Sequence, residues 1–260
     1  MSSTDFQSDL DVAVAAARAA GEVVLHHFRA GVDVRYKSPT QPVTVADLAA
    51  NDLLHRILTA ARPEYGWLSE ESADSAERLD RSRVWVIDPI DGTNSFVEGL
   101  PEFVVSVGLV EGGRPVAAAL LNPATGELFQ ASRGAGAFLD GRRIHVAGPA
   151  RGRRPRLVVS RAELAAGEFA AFADRWEILP LGSTAYRMLK VADGAFDAFF
   201  SRKRKHEWDV CAAALVVEEA GGTVSQLDGT TLHFNQTDPV FRGIVAAGGT
   251  PPEPTLLHAG

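Results

Sequence analysis

Between Phe103 and Val146 the chain offers five short apolar segments separated only by tight breakers. Phe103–Val110, Val116–Leu121, Leu128–Ala131, Ala137–Leu139 and Ile144–Val146 are punctuated by Glu111-Gly112-Gly113, Asn122-Pro123, Gly134 and Asp140-Gly141. Strands in that arrangement form a meander, so this half must be built on an antiparallel sheet. Two helices precede it. Val12, Ala16, Ala19, Val23 and Phe28 recur near helical spacing and predict a helix from about Asp9 to Phe28. Thr44 and Asp47 form a capping box for a second helix, carried by Leu48, Leu53, Leu54 and Ile57 to about Ala61. The stretch between them, with Lys37-Ser38-Pro39 and Pro42, reads as a loop. Trp67–Ser69 and Val84–Asp88 are strands, the second rich in residues that suit a buried pleated surface.

The Gly-, Pro- and Arg-rich segment Gly148–Pro155 marks a boundary between two lobes, 1–150 and 151–260. Beyond it strands and helices alternate. Leu157–Ser160, Glu177–Leu181, Asp197–Ser201, Val224–Leu227 and Gly243–Ala247 read as strands. Glu163–Asp174, Ser183–Val191 and Trp208–Ala220 read as helices, the last stopped by Gly221-Gly222. The tail Pro251–Gly260 is expected to fray.

Composition narrows the function. A net charge of -7 argues against nonspecific nucleic-acid binding by the surface as a whole, and leaves room for a local basic patch. No apolar run approaches the ~20 residues of a membrane span, and the N-terminus lacks the pattern of a signal peptide. The single cysteine, Cys211, excludes an intrachain disulfide and fits a cytoplasmic location.

The most informative stretch for chemistry is Trp85-Val86-Ile87-Asp88-Pro89-Ile90-Asp91-Gly92-Thr93-Asn94. An apolar strand runs into two aspartates, and Pro89, which cannot donate to a ladder, is expected to end it. Gly92 permits a tight turn, and Thr93 can cap a helix starting near Asn94. Acidic groups then lie beside a helix N-terminus, where free N–H groups favour a phosphate. Carboxylates with a phosphate invite a hard, oxygen-seeking cation such as Mg²⁺. Glu70-Glu71 follows another short strand, and Asp209 opens a helix after Trp208. Taken singly, each acid also suits a turn or a helix cap.

Leu68-Ser69-Glu70-Glu71-Ser72, Asp88-Pro89-Ile90-Asp91-Gly92-Thr93 and Trp208-Asp209-Val210-Cys211-Ala212-Ala213 together resemble the inositol monophosphatase family. The resemblance runs from the first helix to the strand near Val245. It implies an α+β / α/β fold, a layered αβαβα sandwich with an antiparallel sheet in the first lobe and a mixed sheet in the second. It implies a Mg²⁺-dependent, lithium-sensitive phosphomonoesterase acting on a small phosphorylated metabolite, and a homodimer that the exposed face of the meander could form. Glu70, Asp88 and the carbonyl of Ile90 would hold one Mg²⁺. Asp88, Asp91 and Asp209 would hold a second, and a looser third ion would sit near Glu70. Asp91, Gly92 and Thr93 would meet the phosphate, and Thr93 with Asp47 would orient and deprotonate the attacking water. The capping box gives Asp47 a purely structural alternative, and Lys37, where the family has a lysine, equally suits a solvated loop.

Ser160-Arg161 and Gly182-Ser183-Thr184-Ala185 resemble segments that line the family's substrate pocket, with Asp209 at its edge, although the second also reads as a plain helix start. Arg202-Lys203-Arg204-Lys205 departs from the pattern. The position of Arg202 is typically an acid that bonds sugar hydroxyls. A cation there suits a second phosphate, as in the branch that hydrolyses adenosine 3′,5′-bisphosphate, which Phe234–Pro239 also resembles. A solvated basic loop is the alternative. A regulator that keeps the fold without catalysis is the competing class, and the full set of carboxylates weighs against it.

Overall fold

The structure is a computed structural model and describes residues 3–30, 34–38, 41–148 and 152–249. Helix α1 (Ser3–Ala30) extends past both expected ends. The loop that follows is in part a hairpin, β1 (Val34–Ser38) with β2 (Gln41–Thr44), which the breakers concealed. Lys37 lies on β1. Helix α2 (Val45–Ala61) starts at the expected box: Thr44 caps Ala46 N, and Asp47 Oδ2 accepts Thr44 N at 2.7 Å and Thr44 Oγ1 at 2.6 Å.

Seven strands form the first sheet: β3 (Gly66–Ser69), β4 (Arg83–Asp91), β5 (Val104–Glu111), β6 (Arg114–Leu121), β7 (Leu128–Ser132), β8 (Gly136–Leu139) and β9 (Arg142–Arg143). The pair β3–β4 is parallel and every other pair antiparallel. The last meander strand lies earlier than Ile144–Val146. The Asp140-Gly141 turn pairs Arg142 with Leu139 and Arg143 with Phe138. Val146 then leaves the ladder, its N–H bonding Ala220 O at 3.1 Å.

The expectation that Pro89 ends β4 is corrected. The strand runs on to Asp91 through an irregularity: Asp88 pairs with Ser106 and Asp91 with Val104, so three steps on β4 meet two on β5. Side chains alternate faces along a strand, so residues three apart would normally diverge. The extra residue of the bulge returns Asp91 to the face of Asp88.

Short helix α3 (Thr93–Val97) follows, then after the meander β10 (Arg156–Ser160), α4 (Arg161–Ala165), β11 (Glu177–Leu181), α5 (Thr184–Ala192), β12 (Ala198–Ser201), β13 (Lys205–His206), α6 (Cys211–Glu219), β14 (Thr223–Ser225), β15 (Val240–Phe241) and β16 (Ile244–Ala247). The expected helix Glu163–Asp174 is two pieces, α4 and a 3-10 turn at Ala170–Phe172, because the chain reverses at Gly167 with φ 78°. The second sheet has the order β11-β10-β12-β16-β14 and is mixed.

The layers follow from alternation. On one face of the first sheet Trp85, Ile87, Val105 and Val107 pack against Leu10, Ala13 and Ala17 of α1 and Ala50, Leu54 and Leu58 of α2. On the other, Val84, Val86, Val104, Ala118 and Leu120 meet α5 and α6, which also cover Val158, Phe199, Ile244 and Ala246 of the second sheet. Its far face, Leu157, Val159, Phe200 and Val245, is covered by Phe169, Phe172 and Trp176. The result is the expected αβαβα sandwich. Both faces of β5 and β6 are buried, so the meander has no broad exposed face to offer a partner. Cys211 is buried in the central layer. No helix among the described residues is long and apolar enough to cross a membrane.

One buried ion network ties the outer helices to the sheet. Asp9 of α1 is fully buried. It accepts Arg62 Nε at 2.7 Å, Arg83 Nη1 at 2.8 Å and Tyr65 OH at 3.1 Å. Arg83 also donates Nε to Glu111 at 2.9 Å.

Candidate metal centre

Three carboxylates converge where β3, β4 and the approach to α6 meet. Carboxylate oxygens of Glu70, Asp88 and Asp209 all lie within 4.8 Å of one another. Glu70 is set by β3–β4 pairing, its N–H bonding Ile87 O at 3.2 Å beside Asp88. Asn51 of α2 steadies the same loop, accepting Ser69 Oγ at 2.7 Å and donating to Ser72 Oγ at 3.1 Å. Asp88 continues the inward face of Val84 and Val86 and is buried; its Oδ1 accepts Ile90 N at 3.0 Å. Asp209 does not open α6 as expected. It sits in the turn before it, with Oδ2 accepting His206 N at 2.9 Å.

The electrostatics are those of crowded, buried carboxylates, with Lys205 and Arg187 offsetting part of the charge at Asp209. Burial, then Glu70, Asp91 and Asp209 in that order, push the Asp88 carboxyl well above the usual carboxylate range. Asp209 is drawn up to about 6, burial again the main cause. Hard oxygen donors that converge at mutual cost suit a divalent cation, and these three residues fit one.

Asp91 stands apart from that trio. Its carboxylate caps α5: it accepts Ser183 Oγ, Thr184 N at 3.3 Å and Ala185 N at 2.5 Å. The N-terminus of a helix favours such a charge. Gly92, at φ 105°, lets the chain pass close to this point, because a Cβ there would lie 2.8 Å from Glu102 O and 2.9 Å from Ser183 Cβ. Thr93 is the first residue of α3 and does not cap it. Its hydroxyl, with one proton to give, lies 3.0 Å from Ile90 O and 3.2 Å from Asp47 Oδ1. Asp47 is buried, which raises its carboxyl against the lowering bonds from Thr44. Capping and contact with Thr93 thus coexist in one side chain.

The pocket residues divide. Ser160 is at the end of β10, and Gly182 N donates to Glu102 Oε2 at 2.6 Å. Ser183 caps α5 at Tyr186 N, and Thr184 Oγ1 accepts from Arg187 at 3.3 Å. Arg202 goes elsewhere: its guanidinium lies over the rings of Phe200 and Phe172 in the outer layer and donates to Glu168 O at 3.0 Å. The basic run ends in the short strand β13, which takes up Lys205. Lys203 and Arg204 are exposed, and half-buried Lys205 faces inward, within electrostatic reach of Arg187, Asp209, Glu163 and Asp91.

Sequence reasoning missed Arg187, Glu163 and Asn51. Arg187 is 4% exposed; its Nε donates to Ser183 O at 2.8 Å, and its Nη1 lies 3.8 Å from Glu163 Oε2 with no hydrogen-bond partner among the described residues. The available signal was an arginine inside the apolar run Tyr186-Arg187-Met188-Leu189 of α5.

A model of the inositol monophosphatase family matches residues 5–258. The inositol-1-monophosphatase of Mesorhizobium japonicum is 35% identical over 96% of this chain and 95% of its own. A protein named Nus factor SuhB from Xylella fastidiosa is 37% identical over 85% of this chain and 82% of its own. The crystal structure of the extragenic suppressor protein suhB from Bartonella henselae superposes with a TM-score of 0.83 at 30% identity, covering 97% of this chain and 99% of that one. With the layered fold, the acidic strand end and a match across nearly its whole length, this chain belongs to the inositol monophosphatase family.

Proposed function

We propose that this protein is a Mg²⁺-dependent phosphomonoesterase that hydrolyses a small phosphorylated metabolite with an activated water, inositol monophosphate being the leading substrate. The observation that carries the reading is the meeting of Glu70, Asp88 and Asp209 from three separate segments, with Asp88 buried among like charges. Glu70, Asp88 and Asp209 would hold the first cation, with Ile90 O and Asp91 as further oxygen donors beside it. When bound, the cation supplies charge neutralisation and makes water nucleophilic near neutral pH. Thr93 Oγ1 takes the proton that the attacking water sheds as its own hydroxyl proton passes to Asp47, so Asp47 gains one proton and Thr93 is unchanged. The water oxygen bonds to phosphorus as the P–O ester bond breaks, and the leaving alkoxide is protonated from solvent. Gly92 and Thr93 present N–H groups to the phosphate.

Phosphate release from inositol monophosphate is expected with Mg²⁺ and not with EDTA. Ca²⁺ in place of Mg²⁺ is expected to lower turnover sharply, because its looser coordination misplaces the water. No release from any of a panel of phosphorylated metabolites would favour the regulator reading, which the relatives named Nus factor SuhB support. As the family resemblance implies, we take the assembly to be a homodimer, which sedimentation tests.

A second reading is a 3′(2′),5′-bisphosphate nucleotidase acting on adenosine 3′,5′-bisphosphate. It is favoured by Lys205 and Arg187, two cations gathered on the Asp209 side of the site, where Glu163, Asp91 and Asp209 face them. A charge-assisted bond to a second phosphate contributes ~1.5–3 kcal/mol. Lys205→Ala is therefore expected to raise KM for the bisphosphate by about tenfold and to leave that for inositol monophosphate unchanged at the same ionic strength. Equal losses on both substrates would remove this reading.

A further inference from the structure

Glu70 and Asp209 reach Asp88 from distant parts of the chain and repel one another across the gap. The structure braces them from behind. The loop after Glu70 enters a 3-10 turn at Ala76–Asp80. From it Arg78, 3% exposed, crosses to the second lobe. Its guanidinium grips both oxygens of Asp74, at 2.7 and 2.9 Å, and donates Nη1 to Asn235 Oδ1 at 2.6 Å and Nη2 to Gln236 O at 2.8 Å. Asn235 returns a bond from Nδ2 to Arg78 O at 3.4 Å.

Asn235 stands in the left-handed region at φ 59°. That bend aims two successive N–H groups at one carboxylate: Asn235 N at Glu207 Oε2, 2.6 Å, and Gln236 N at Glu207 Oε1, 2.9 Å. Glu207 is fully buried. Its main chain bonds Pro239 O through N–H at 2.9 Å and accepts Cys211 N at 2.8 Å, so it fixes both sides of the turn that carries Asp209. A path of hydrogen bonds thus joins Asp74 and Arg78, on the segment that follows Glu70, to the Asp209 turn without passing through the carboxylate cluster. It also accounts for Phe234–Gln236, a segment the proposed reaction leaves unused.

We infer that Arg78, Asn235 and Glu207 are positioning residues that preset the separation of Glu70 and Asp209 and thereby set the affinity for the divalent cation. The inference rests on the metal role proposed for the cluster. Fork-shaped arginine bonding supplies direction as well as attraction, and a ligand set held in place before the cation arrives forfeits less on ordering. A purely structural bracket would change stability and leave metal affinity alone.

The test is calorimetric titration of Mg²⁺ into the full-length protein without substrate, alongside thermal melting. Glu207→Gln places an amide NH₂ against a backbone N–H. Asn235→Gly removes one side-chain partner of Arg78 and keeps the left-handed backbone accessible, so it carries the test if the first variant fails to fold. Each is expected to raise the Kd for Mg²⁺ by about tenfold, as loss of outer partners of metal ligands does. Folded variants that melt earlier but bind Mg²⁺ as wild type does would overturn the inference. A wild-type protein that binds no Mg²⁺ would instead overturn the metal reading itself.

Discussion

Asp88→Asn is expected to abolish measurable turnover and, in the absence of metal, to raise the melting temperature. The activity loss follows from removing a central oxygen donor: about 3 kcal/mol or more of transition-state stabilisation, or at least a hundredfold in rate. The stability gain follows from the same residue. Asp88 is buried, and burial together with Glu70, Asp91 and Asp209 holds its carboxyl well above the usual range. A carboxyl that binds its proton more tightly folded than unfolded contributes fully below its unfolded value near 4. That contribution is lost as pH rises through the folded value, which for neighbouring Asp209 is about 6. The metal-free protein is therefore expected to lose stability from these groups as pH rises from 5 to 8, and Asp88→Asn to reduce that loss. Scanning calorimetry in EDTA decides it, and a lower melting temperature for the variant at pH 8 would refute the account. Asp91→Asn makes the contrast. Its amide would face the N–H groups of Thr184 and Ala185, so it is expected to lower the melting temperature by a few degrees, at about 1–3 kcal/mol.

Asp9→Ala is expected to cause the largest loss of stability of any single change argued from this fold. It takes from buried Arg83 one of its acidic partners, leaving Glu111 in place, and strips Arg62 and Tyr65 of their shared acceptor. Breaking a buried ion pair from one side costs about 3–5 kcal/mol, a fall in melting temperature on the order of 10 °C. Mg²⁺ affinity should not move, because Asp9 belongs to the outer helix layer. A shift within about 2 °C would mean that water enters the site and replaces the carboxylate.

Local patterns made much of the architecture legible. The Thr44–Asp47 box, the turns at Glu111-Gly112-Gly113 and Asp140-Gly141, and the glycines after α6 each act over a few residues, and the structure has them where they were expected. Pro89 misled because a proline sits comfortably at an irregular step of a strand, and only pairing with β5 shows that step. Trp208–Ala220 reads as one helix because Val210–Val217 is an unbroken apolar run and an acid such as Asp209 suits a first turn; the backbone bonds to Glu207 and His206 make its first residues a turn. For the candidate site, the motifs identified the acids but not their company. Arg78 meets Asn235 across most of the chain, and Lys205 parts from Arg202 because it joins β13 while Arg202 turns to Glu168 and the Phe172 and Phe200 rings. No spacing rule encodes either.

The helix layer between the two sheets is written late in the chain. The face it covers, built from Val84, Val86, Val104, Ala118 and Leu120, is complete once β6 has formed, whereas α6 ends at Glu219, roughly a hundred residues later. At synthesis rates of about 5–20 residues per second, that apolar surface stands uncovered for roughly 5–20 s on the ribosome. Early strands must therefore wait for a partner that has not been made, and a chain truncated before α5 presents a bare sheet to its neighbours. Protection against aggregation in this protein is a matter of timing during translation, before any bond in the finished sandwich can help.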